Sequence, residues 1–382
     1  MPLIPFSSVR HWMFDQALPV WAERGVDRAE GGFLEELSLS GEATNCDYKR
    51  VRTICRQTYV FSHAALSGWK EGEALSRLGY EYLIAHAKLA DGAWARRLSR
   101  DGRVIDPTPD LYDLAFVIFA MAWRYRVSGD DGARAEANAA LRFVRERMAG
   151  PHGGFWHVLP PSGPRLQNPH MHLAEACLAA FEATRDEIYL ETANAAVDLL
   201  VQRLFDGVSL GERFRDDWRR LPGELEPGHH FEWAWILGRR AKIAGVNAAG
   251  DVMLRLLDYA ERQGVDPASA AVYDAVGDDG AATRTSSRVW PNTERIKGHL
   301  AAFEIAGRDP APAVASSLKL IFERYFAPPA APGLWTDQFD GEGRPLAKAV
   351  PASCVYHLFL AFSEVLRLQP EIEAGGHSAR QT

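Results

Sequence analysis

Leu111-Tyr-Asp-Leu-Ala-Phe-Val-Ile-Phe-Ala-Met-Ala-Trp123 is apolar on almost every side. A short turn later comes Asp131-Gly-Ala-Arg-Ala-Glu-Ala-Asn-Ala-Ala-Leu-Arg-Phe-Val-Arg-Glu-Arg147, rich in alanine and charge and apolar along one stripe only. A helix that is apolar all round has to be buried, whereas an amphipathic one faces water on one side. The pair therefore reads as an inner helix followed by an outer one. Helical periodicity predicts further members of both kinds, with spans of 7–24, 52–69, 72–90, 110–127, 130–147, 168–183, 187–204, 228–244, 248–263, 288–306, 309–326 and 350–367.

The even-numbered helices of that series start about sixty residues apart, which marks an internal repeat. Short turns follow them, and loops of roughly twenty residues follow the odd-numbered ones. Several long loops share a small residue and an aromatic, then alternation, then a glycine turn. Gly31-Gly-Phe-Leu-Glu-Glu-Leu-Ser-Leu-Ser-Gly41 and Gly92-Ala-Trp-Ala-Arg-Arg-Leu-Ser-Arg-Asp-Gly102 are examples. That pattern predicts small β-hairpins. Six buried helices inside six amphipathic ones predict an all-α fold, an (α/α)6 barrel with hairpins at one end. A solenoid would need polar capping helices at its two ends, and none is seen. Residues 1–368 are expected to form one catalytic domain and 369–382 a disordered tail.

Composition narrows the functional classes. A formal charge of −7 on 382 residues argues against a nucleic-acid partner, which would call for a basic stripe. Cys46, Cys55, Cys177 and Cys354 show no C-x-x-C spacing, so reduced thiols in a cytoplasmic protein are expected, not a zinc site or disulfide frame. No apolar run reaches the roughly 18 residues of a membrane span, and the first residues lack a signal-peptide pattern.

In such a barrel all inner helices point their N-termini to one end, so polar residues in their first turns converge. Arg52 and Arg56, His172, His229 with His230 and Glu232, Trp290 with Glu294, and His357 hold such places. A lone histidine there is more often a hydrogen-bonded core residue; three at one end, with Arg56 and Glu232, point to acid/base chemistry. His229 and Glu232, at i,i+3, share a helix face, so Glu232 is expected to hold His229, with His230 packed behind the loop. Tryptophans 94, 156, 290 and 335 lie in or beside the long loops and are expected at the pocket rim. No HExxH or Cys/Asp cluster supports a metal, and no cofactor is expected.

Four longer motifs carry a family resemblance: Arg52-x3-Arg-Gln-x-Tyr-Val-Phe-Ser62, Asn168-Pro-His-Met-His-Leu-x-Glu-Ala176, Pro227-Gly-His-His-Phe-Glu-Trp-Ala-Trp235 and Val289-Trp-Pro-Asn-Thr-Glu-Arg-Ile-Lys297. The chain resembles the N-acylglucosamine 2-epimerase superfamily, and within it the D-mannose isomerase branch. The resemblance implies metal-independent chemistry on free sugars. It implies that His229 and His357 are the acid/base pair, that Glu232 supports His229, and that His172 serves the sugar ring and its opening. It also implies that Arg56 binds the oxygens on which enediolate charge develops, with Trp290 and Glu294 in the pocket. Asn168 and Tyr112 complete the expected substrate-binding set. Asn292 departs from the usual W-P-Q-T-E wording.

The expected activity is interconversion of D-mannose and D-fructose through ring opening and a cis-enediol(ate). Alternatives are 2-epimerisation of N-acylglucosamine or cellobiose-type sugars, isomerisation of mannose 6-phosphate, or glycoside hydrolysis on the same fold. A hydrolase would need two carboxyl groups flanking the bond, and histidines dominate this rim. The expected partner is a small monosaccharide, with no nucleic acid or membrane, in a monomer or homodimer.

Overall fold

Proline or a capping carboxyl group ahead of an apolar run sets where several inner helices begin. In the computed structural model, which describes residues 3–245 and 247–378, the helices in chain order are α1 (Phe6–His11), α2 (Leu18–Glu23), α3 (Val51–Leu66), α4 (Gly72–His86), α5 (Leu111–Ser128), α6 (Asp131–Arg147), α7 (Asn168–Thr184), α8 (Glu187–Leu199), α9 (Pro227–Ala244), α10 (Gly250–Gly264), α11 (Val289–Ala306), α12 (Ala311–Leu320), α13 (Val355–Arg367) and α14 (Gln369–Ser378). Pro169 and Pro227 occupy first-turn positions of α7 and α9, where a missing N–H costs nothing. Asp110 caps α5 by accepting from the Tyr112 and Asp113 amides. A π-turn over Trp12–Ala17 joins α1 to α2, so the first outer helix is continuous.

The inner helices α3, α5, α7, α9, α11 and α13 each pack on the next, and α13 packs back on α3. The ring closes. Each inner helix also packs on its outer partner, α3 on α4 through α11 on α12, with α1 against α13. This is the expected (α/α)6 barrel. Leu111, Leu114, Ala115, Val117, Ile118, Ala120 and Met121 are wholly buried, as an inner helix requires.

Three details differ from the sequence expectation. True hairpins form at 97–106 and 275–284, but most strands pair between loops: 36–38 with 349–351, 48–50 with 97–99, 165–166 with 213–214, and 287–288 with 338–339. The rim is thus knitted loop to loop. The last inner helix also starts later than expected, at Val355, because 349–351 is claimed by its strand partner and Ala352–Cys354 forms a 3-10 turn. The expected tail is helical over Gln369–Ser378, and its remainder, 379–382, lies outside the described residues. No helix among the described residues is long and apolar enough to cross a membrane.

Candidate active site

The N-terminal ends of the inner helices surround a cavity of about 330 Å³. Arg56 of α3, Tyr112 of α5, Asn168 and His172 of α7, His229 and Glu232 of α9, Trp290 of α11 and His357 of α13 all line it. Glu294 lies one step behind, bonded to His357. All nine expected site residues therefore meet at one place. The Trp290 ring packs on both imidazoles, with centroids 5.3 Å from His229 and 5.5 Å from His357.

His229 is not held by Glu232. Its Nδ1 donates to Glu212 at 2.9 Å. Helix side chains lean toward the N-terminus, so His229, in the first turn of α9, reaches back into the loop before it. Glu232, a turn deeper, points into the barrel. Burial works against a charged imidazole, but Glu212, followed by Glu226, outweighs it and lifts the His229 pKa to about 9. The Asn168 amide lies 3.1 Å from Nε2. Its oxygen has no protein partner among the described residues, so turning the amide lets Asn168 serve either charge state of the ring.

His357 is treated in the opposite way. Its Nδ1 bonds Glu294 at 2.7 Å, and Glu294 also pairs with the buried Lys297 at 2.7 Å. Burial, reinforced by the positive charges of Arg56 and Lys297, pushes His357 well below the ordinary histidine value. The two pocket imidazoles are thus pushed in opposite directions, His229 toward its charged form and His357 toward its neutral form. Such a split is how a site obtains an acid and a base from one residue type.

His172 Nδ1 bonds Glu175 at 3.1 Å and lies 3.9 Å from Glu232. Tyr356 also donates to Glu175. Arg56 donates to the Tyr112 hydroxyl at 2.7 Å and to the Ser353 carbonyl at 3.2 Å. Two donor sets, His172/Glu175/Glu232 and Glu232/Glu294/His357, come within 4.8 Å internally. One contact in each set is already a hydrogen bond, His172 with Glu175 and His357 with Glu294, and Lys297 supplies a cation beside Glu294. We assign neither as a metal site.

The sequence pattern of the N-acylglucosamine 2-epimerase (GlcNAc 2-epimerase) family matches residues 31–361. The chain belongs to this family. A mannose-6-phosphate isomerase of Rhizobium meliloti (strain 1021) is 34% identical over 93% of this chain and 95% of its own. A D-mannose isomerase of Thermobifida fusca is 30% identical over 56% of this chain and 57% of its own. Among solved structures, a D-mannose isomerase superposes with a TM-score of 0.88 at 20% identity, covering 94% of this chain and 97% of that one. The protein is thus a sugar isomerase or epimerase of the N-acylglucosamine 2-epimerase family.

Within this member of the family, sequence reasoning misplaced or missed several groups. Trp94 and Trp335 are core residues, Trp335 packing on Trp12 and Trp21. Trp156 covers Arg165, and of the four expected rim tryptophans only Trp290 lines the pocket. His230 does pack behind the loop, accepting from the Leu210 amide and stacking on Tyr259. Asn292, the departure from the usual motif, bonds Ser287, Arg288 and Tyr325 away from the pocket. Arg52 pairs with Asp113. Glu212, Glu226, Arg50 and Asp337 were missed because they lie in loops or a three-residue strand without periodicity, and Arg288, at the first position of the expected helix 288–306, was not assigned to the pocket. Glu175 was within reach of the sequence, standing at i,i+3 from His172.

Proposed function

We propose that the protein interconverts D-mannose and D-fructose by histidine acid/base catalysis. The observation that carries this reading is the pair of imidazoles packed on one tryptophan, Trp290, each bonded through Nδ1 to its own carboxyl group, Glu212 or Glu294, and pushed in opposite directions by their surroundings. His172, oriented by Glu175, serves opening of the sugar ring. The C2 hydrogen of the open aldose is acidic because it is α to the carbonyl. Neutral His357 takes that proton. Arg56 and Tyr112 balance the charge that develops on the enediolate oxygens, as preorganised donors do. Charged His229 is the proton donor: delivery to C1 gives the ketose, and delivery to the opposite face of C2 would give the epimer.

A second reading, mannose 6-phosphate as substrate, is favoured by the similarity to the Rhizobium meliloti enzyme. Pocket electrostatics favour the uncharged sugar. Arg50 is paired with Glu35, and Arg288 with Glu226 and Asp274. Arg56 is the one arginine of the pocket wall without a carboxyl partner among the described residues, and it lies deep beside Tyr112. Incubation with mannose, mannose 6-phosphate, N-acetylglucosamine and cellobiose in D2O, followed by NMR, separates these outcomes. Fructose deuterated at C1 is expected from mannose. Unchanged mannose would sink the proposal, and faster turnover of mannose 6-phosphate would select the second reading.

A further inference from the structure

Beneath the pocket floor, one lysine sits among three carboxyl groups with no access to water. The Lys297 side chain is 0% exposed. Its Nζ is 2.7 Å from Glu294 Oε2 and 4.1 Å from the centre of the Trp235 ring. Burial opposes its charge, but Glu294, Glu232 and Glu175 outweigh burial and raise the lysine above its ordinary value. The ammonium is therefore a permanent charge directly behind the Glu294–His357 pair.

That pair shares protons. With one proton on His357 Nδ1 and Glu294 ionised, Nε2 carries the lone pair that a base needs. Adding a second proton gives either an imidazolium or a protonated Glu294 donating to Nδ1 with Nε2–H facing the pocket. Both forms are useless as a base, and they belong to one coupled titration. Burial and Glu232 raise Glu294 well above the ordinary carboxylate value, and Lys297 is the nearest group that opposes the rise. The other groups facing the pair are Arg56 from α3, His172 and Glu175 from α7, His229 and Glu232 from α9, and the Tyr356 phenol of α13.

We propose that Lys297 is a positioning residue for the base: held against Glu294, it shifts the Glu294–His357 pair toward the singly protonated state, with the proton on Nδ1 and Nε2 free. The proposal rests on reading His357 as a proton-transfer group. Its role reaches the substrate only through Glu294 and His357.

The test compares wild type with Lys297→Met, Glu294→Gln and the double variant. Methionine keeps the stem against Trp235; should it not fold, Lys297→Gln carries the same expectation. Loss of the positive charge favours the doubly protonated pair, so the acid limb of the kcat profile moves to higher pH. Once the limb has passed neutral pH, each further unit of movement lowers kcat there about tenfold, with recovery as pH rises toward the alkaline limb. KM stays close to wild type. In the Glu294→Gln background, where residue 294 cannot take the proton, the same Lys297 change moves the limb clearly less. A uniform fall in kcat at every pH, or equal movement in both backgrounds, would overturn the proposal. Nitrogen-15 NMR of the His357 ring reads the same titration without substrate. An unchanged His357 titration in Lys297→Met overturns the role of Lys297 even if mannose proves not to be the substrate.

Discussion

His229 and His357 are one residue type in one pocket, and their neighbours decide what each can do. In the proposed reaction, turnover requires His229 charged and His357 neutral with Nε2 free. His229 loses its proton as pH rises through about 9, so activity is expected to fall there. On the acid side the base is lost when the coupled Glu294–His357 pair takes up its second proton, so activity is expected to fall as pH is lowered through that titration. A kcat profile from acid to alkaline pH checks both limbs. Glu212→Gln removes the main charge that lifts His229 while keeping a hydrogen-bonding group. The alkaline limb should then move down from about 9, with kcat at pH 8 about 10- to 100-fold lower. An unmoved limb would exclude Glu212 as the source of the shift. The histidines themselves were legible in sequence because an imidazole a few residues into an apolar helix is conspicuous. Their supporting groups were less so. Glu232 obeyed the i,i+3 rule by position but not by direction, and Glu212 reaches its place only through strand pairing of 213–214 with 165–166. A two-residue strand leaves no periodic trace.

Among elements, the contrast between apolar and amphipathic helices was enough to assign inner and outer layers. The long loops were read less well. Alternation suggests a strand but does not name its partner, and most partners lie in other loops. The tryptophans were misplaced for a related reason: Trp94 and Trp335 sit in loops by sequence, yet those loops fold inward over the core. Contact between neighbouring inner helices depends on small residues. A Cβ added to Gly238 of α9 would lie 2.7 Å from the Ala301 Cβ of α11. Gly238→Val is therefore expected to destabilise the fold by about 1–3 kcal/mol, measurable by denaturant unfolding. Because α9 carries His229 and α11 carries Glu294, kcat should fall with it. A variant of undiminished stability would show that the two helices separate freely.

At the scale of the molecule, the pocket wall takes a residue from each of six inner helices, and no subset of them makes a site. Activity and helical circular dichroism are expected to disappear at the same urea concentration. Loss of activity well before loss of helix would show that the rim loosens independently. The closure of the ring, with α13 on α3 and 349–351 paired to 36–38, has a consequence during synthesis. The proposed proton donor leaves the ribosome long before the proposed acceptor, which belongs to the last inner helix. A nascent chain therefore holds one half of a proton-transfer pair and is chemically silent toward sugar until its final helix has joined the first.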